Sequence, residues 1–268
     1  MNGSERVATL AGEREAGAVS AGTADGVTTS PWSRGLRSVL APLRTEEPDP
    51  PRRWLRLLPL GPVIVACVFS LVILRSETTP ANNLNDSAFH LEMVRWADHQ
   101  ISEGKIPLDG WFPNLTIGSS FFHHYQSLPY TLTAYAARLT GRGDTTTYLW
   151  LLYLMLALWP ISVYLGARLL SLERWTAAAA ALVSPLIVSA SGYGFEHGSY
   201  TWQGLGVYTQ LWGMWLLPLV WGLTYRAVTR GSKWYAPAAA VLAFTIATHL
   251  MTGYLAVLSI GVWVLVTR

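Results

Sequence analysis

The sequence predicts an all-α protein: a polytopic transmembrane bundle of about six spans, with a long outer first loop that contains interfacial helices. Three observations predict it. The 268-residue chain is 51% hydrophobic and only 13% charged, against roughly 25% charge in a soluble domain. Apolar runs recur at about the 17–25 residues a helix needs to cross a bilayer. The 13 Trp and 12 Tyr suit a membrane–water interface, where amphipathic rings collect. The net charge of +3 calls for no nucleic-acid partner, because basic cytoplasmic loops are normal in a membrane protein. Cys67 is the single cysteine, so one chain can form neither a disulfide framework nor a thiolate metal site.

Residues 1–56 are rich in Gly, Ala, Ser and Thr and end near Pro48, Pro50 and Pro51. This composition cannot bury a core, and it reads as a disordered cytoplasmic tail. The first apolar run starts too late for a cleaved signal peptide. Arg52, Arg53 and Arg56 stand against that run and should hold the tail inside.

The transmembrane domain is expected over 57–268. Its apolar segments are roughly 57–74, 147–168, 175–191, 207–226, 235–249 and 252–267. The last two have almost no loop between them. A chain starting inside puts 75–146 outside as the long first loop, with 192–206 and the turn at His249 on the same side. Charge agrees with this order. The short inner loops hold Arg168, Arg174, Arg226, Arg230 and Lys233 against one acid, Glu173, whereas Asp86, Asp98, Asp144 and Glu196 fall outside. All six histidines also fall outside: His90, His99, His123, His124, His197 and His249. Four of them simply follow the long loop. His197 and His249 come from distant segments and are the informative pair.

Within the outer loop, residues 84–103 should form an interfacial helix. Phe89, Met93 and Trp96 with Leu91, Val94, Ala97 and Ile101 make a broad apolar stripe. Asn85 is a candidate N-cap, and Asp86 suits the helix dipole. That structural role is the plain alternative to a chemical one for Asp86. Lys105–Pro113 should be extended and turning. A shorter helix over about 128–140 should stop at Gly141.

Asp86 and His90 stand four residues apart, so they share one helical face. With a downstream helix led by Pro129-Tyr130 and a first helix ending EGKIP, this DSAFH stretch resembles the GT-C superfamily of membrane glycosyltransferases. The order is similar to that in oligosaccharyltransferase catalytic subunits. SGYGFEHGS after the third span is similar to the place where those enzymes carry a second acid, here Glu196. The chain also resembles bacterial membrane proteins labelled 6-pyruvoyl-tetrahydropterin synthase-related, although it has no site for pterin chemistry.

The resemblance implies transfer of a sugar from a polyprenyl-phosphate-linked donor to an acceptor on the outer face of a bacterial plasma membrane. It implies partnership with that donor and with membrane lipids. GT-C enzymes carry more spans, so the chain is expected to be the N-terminal part of a longer protein. Asp86 is the first choice for a carboxylate that takes the acceptor proton or holds a divalent cation, and Glu196 is the second. His90, His197 and His249 would support that site. Arg95 and Arg138 are candidates for a lipid phosphate or ordinary interfacial anchors. Tyr193 and Trp202 are candidates for sugar or lipid contact. Carboxylates suit magnesium or manganese better than zinc, and metal dependence stays open.

No Walker motif, Rossmann fingerprint or nucleophile elbow is present. Two other functions compete: a transporter or lipid flippase, against which the near absence of charge in the spans counts, and a non-catalytic membrane scaffold whose outer loop binds a partner.

Overall fold

The computed structural model describes residues 53–80, 86–114, 117–186 and 208–267. These are all-α apart from one isolated bridge between Phe112 and Ser119. The end of the expected tail, Arg53–Leu57, is a 3-10 turn. It leads into α1, Leu60–Ile73. A second 3-10 turn, Arg75–Thr78, follows and buries Glu77.

Segment 75–146, expected as the outer loop, holds the two expected helices. In α2, Asp86–Ser102, the buried face is Ser87, His90, Met93, Val94, Trp96 and Ala97. Steps of three and four produce that face. Asn85, the expected cap, lies outside the described residues. α3, Leu128–Thr140, starts with Pro129, whose missing N–H costs nothing in a first turn. It ends on Gly141 at φ 66°, whose N–H reaches the Arg138 carbonyl. Glycine adopts this left-handed stop without a Cβ penalty.

The later apolar segments also become helices. They are α4 (Asp144–Ala157), α5 (Trp159–Leu169), α6 (Arg174–Val183), α7 (Tyr208–Arg230), α8 (Tyr235–Thr248) and α9 (Leu250–Thr267). The expected single span at 147–168 is two helices, α4 and α5, bent by 47°. Pro160 explains the break. It cannot donate to the Leu156 carbonyl, and it disfavours helical geometry at the residue before it. Between α8 and α9 the break is one residue, His249, in extended conformation at φ −156° and ψ 106°.

Among the described residues, no single helix is long and apolar enough to cross a membrane; the bent pair α4–α5 passes that test together. α1 has 14 residues, about 21 Å of helix against a hydrocarbon core of about 30 Å. α7 has 23, but Thr209 and Gln210 near its start and Arg226 and Arg230 near its end dilute the apolar run.

The segment that contains α2 and α3 packs on the later helices. One core joins Met93, Val94 and Trp96 of α2, Phe112 and Phe122 of the connecting segment, Tyr130 of α3, Tyr148 and Leu152 of α4, and Tyr208 and Leu211 of α7. α5 and α7 approach closely through glycine. A Cβ on Gly166 would stand 2.5 Å from Pro218 Cβ, and one on Gly222 would stand 2.3 Å from Leu169 Cβ. Across the same pair, the Ser162 hydroxyl donates to the Trp215 carbonyl. Arg226 donates to the Leu169 and Arg168 carbonyls, each at 2.9 Å.

Candidate functional site

A cavity of about 180 Å³ opens where the first turns of α2 and α7 meet the α8–α9 break. Asp86, Phe89, His90, Tyr125, Thr209, Gln210 and His249 line it. Three of the candidate residues, Asp86, His90 and His249, are therefore brought together from segments far apart in sequence.

Asp86 is exposed in the first turn of α2, and His90, one turn on, is 4% exposed. His90 Nδ1 lies 2.7 Å from the Tyr130 hydroxyl. Its ring stacks on Tyr130 at 5.8 Å between centroids and lies 6.1 Å from Tyr208. Burial, and then Tyr125 beside it, pushes the Tyr130 phenol well above its ordinary value, so the hydroxyl keeps its proton. The Tyr125 ring stacks on that of Tyr130 at 6.4 Å between centroids, so an aromatic stack runs from the cavity wall at Tyr125 through Tyr130 to His90. Beside it, Ser87 Oγ lies 3.3 Å from the Tyr148 hydroxyl, and Tyr208 Oη lies 2.5 Å from Thr133 Oγ1. Such buried hydroxyls need partners, and here they find one another.

His249 has a structural task as well. Its Nδ1 accepts the backbone N–H of Thr252 at 3.2 Å and lies 2.7 Å from Thr252 Oγ1. This is an N-cap on α9, satisfying one amide of its first turn. A ring nitrogen that accepts an amide N–H carries no proton, so the proton sits on Nε2. The approach of His249 to α7 depends on Gly213: a Cβ there would be 2.8 Å from His249 Cβ and 3.1 Å from Thr252 Cβ.

The two arginines of the expected site do not line the cavity. Arg95 is exposed, 3.2 Å from Thr145 Oγ1 and 3.8 Å from Glu92 Oε2. Arg138 pairs with the Asp98 carboxylate at 2.5 Å and donates to the Asp98 carbonyl at 2.8 Å. Arg95 thus links α2 to α4, and Arg138 links α3 to α2. Glu196, His197, Tyr193 and Trp202 lie outside the described residues. His123 and His124 are exposed, the first 3.8 Å from Asp109.

Sequence reasoning missed Thr209, Gln210 and Gly213, and it did not foresee that Glu77 would be buried, at 1% exposure. Gln210 had a usable signal, because an amide just inside an apolar run must face protein or a cavity. Among the described residues, no group of three His, Cys, Asp or Glu is arranged to hold a metal ion. The cavity offers one carboxylate, the amide of Gln210 and the hydroxyls of Tyr125 and Thr209. No protein-family model matches the chain, and no curated protein or solved structure is detectably similar to it.

Proposed function

We propose that the chain is a membrane glycosyltransferase of the GT-C type, which moves a sugar from a polyprenyl-phosphate-linked donor to an acceptor on the outer face. The observation that carries this proposal is the convergence of Asp86, His90 and His249 on one cavity.

The proposed step needs few parts. The acceptor's nucleophilic atom bonds to the anomeric carbon as the carbon–oxygen bond to phosphate breaks. The acceptor proton passes to the Asp86 carboxylate, and polyprenyl phosphate leaves with the bonding electron pair. Asp86, exposed in the first turn of α2, is the general base of this proposal. His90, held through Tyr130, lies one turn away on the same cavity wall. Glu196 is the second carboxylate of this proposal and lies outside the described residues.

A lipid-linked donor demands a membrane, and the surface supports one. α1 exposes Ile64, Val65, Val68, Phe69, Val72 and Ile73, while α9 exposes Leu250, Met251, Leu255, Val257, Leu258 and Val262. Helices apolar on both their packed and their exposed faces belong in lipid.

The test is Asp86→Asn, with Glu196→Gln beside it, in a cell lacking the native copy. Loss of a lipid-linked or envelope glycan at normal protein level is the expected outcome. Unchanged glycans in both variants would sink the proposal.

A further inference from the structure

Resting on that function, we infer that the Asp86–His249 cavity is a subsite for one neutral sugar ring and that the donor's phosphate binds outside it.

Volume sets the first limit. At about 30 Å³ per water in the liquid, a cavity of about 180 Å³ has the space of about six waters. It falls below the ~300 Å³ at which drug-sized pockets begin. A volume on this scale suits a single pyranose ring.

Hydrogen-bonding chemistry sets the second. A sugar hydroxyl both donates and accepts, so its site must offer both. Asp86 supplies a carboxylate acceptor. His249 supplies a donor, because Thr252 occupies Nδ1 and leaves the proton on Nε2. The Gln210 amide adds one of each. A sugar ring also has an apolar face, and Tyr125 and Phe89 offer aromatic surfaces for it. Both rings pack on Phe121, at 5.0 and 5.3 Å between centroids, so they are fixed before a ligand arrives.

Charge sets the third. None of the described lining residues is Lys or Arg. Arg95 and Arg138 are engaged elsewhere, and the Asp86 carboxylate repels an anion. Phosphate recognition relies on such cations, and the described lining residues supply none.

Saturation-transfer NMR on the full chain in lipid nanodiscs tests the assignment. The probes are the methyl pyranosides of mannose, glucose and N-acetylglucosamine, with inorganic phosphate as competitor. At least one pyranoside should receive saturation on its ring protons, with no displacement by phosphate. Tyr125→Leu and His249→Phe should each weaken it about tenfold, the scale of one good contact. His249→Gln, which keeps an N–H donor, should restore most of the affinity. Gln210→Leu serves as a second variant if a substitution at His249 unfolds the chain. No saturation of any pyranoside, or displacement by phosphate, overturns the assignment. A chain that binds pyranosides while its Asp86→Asn and Glu196→Gln variants leave cellular glycans unchanged keeps the subsite and loses the transferase. A working transferase whose pyranoside affinity ignores these substitutions does the reverse.

Discussion

His90 and Tyr130 are both buried, and each presents a polar atom to the other at 2.7 Å. Tyr130→Phe takes the phenol hydroxyl from His90 Nδ1, and losing one partner of a buried polar pair costs about 1–3 kcal/mol. Tyr130→Phe should therefore lower the melting temperature in detergent. Tyr208→Phe is the informative comparison. It leaves Thr133, whose hydroxyl also donates to the Pro129 carbonyl at 2.7 Å and so keeps a partner. The expected loss is only about 0.5–1.5 kcal/mol, one ordinary net hydrogen bond. Equal losses in the two variants would mean that the His90–Tyr130 contact carries no special burden. Gly213 makes a related case through sterics. In Gly213→Ala the new Cβ meets the backbone-proximal atoms of His249 and Thr252, which cannot swing aside as a flexible chain end would. Overpacking of this kind costs about 1–3 kcal/mol. Because the displaced element carries His249, pyranoside affinity should fall along with the melting temperature.

At the scale of elements, α2 and α3 are held by the Arg138–Asp98 pair as well as by apolar packing. Their side chains are 36% and 27% exposed, so water screens the pair and its coupling should not exceed about 1 kcal/mol. A double-mutant cycle of Arg138→Ala with Asp98→Ala, read by thermal melting, should give that small value and lose it in high salt. A large loss of glycan product with no measurable coupling would return Arg138 to the role of phosphate ligand. The helices themselves were legible in sequence wherever local rules decide. α2 follows from its apolar stripe, and α3 from Pro129 and Gly141. The bend after α4 was equally legible in Pro160, but an unbroken hydropathy run concealed it. What could not be read was pairing between elements. Tyr208 sits in an aromatic run that suits an interface belt, yet it is fully buried beside Tyr148 at 4.7 Å. Gly213 looks like any helical glycine until His249 is seen against it. For the site, Asp86 and His90 were visible because one helix fixes their spacing. Their meeting with His249, Gln210 and Tyr125 depends on three separate segments converging, and no local pattern encodes that.

At the scale of the whole molecule, the question is which solvent covers α1 and α9. Val65 is 60% exposed and Leu258 is 68% exposed, and the two surroundings give opposite answers for the same substitution. If water covers these faces, Val65→Lys and Leu258→Lys replace exposed apolar groups with soluble ones. Such surface changes fall within about 0.5 kcal/mol of neutral, and they would reduce the tendency to aggregate. If lipid covers them, each lysine must enter hydrocarbon near a helix centre, at about 2.5–3.5 kcal/mol by insertion scales. Snorkelling recovers part of that cost near a helix end, so Val65, inside α1 rather than at its edge, is the sharper site. The membrane proposal expects Val65→Lys to lower the membrane-inserted fraction in a translocation assay. It expects Val65→Leu, of similar polarity, to leave that fraction unchanged. The short length of α1 strengthens the test. A helix of about 21 Å in a core of about 30 Å has little apolar length to spare, so one charge should tip it out of the bilayer more readily than it would a longer span. Unchanged insertion of Val65→Lys would remove the membrane and, with it, the lipid-linked donor on which the proposed chemistry depends.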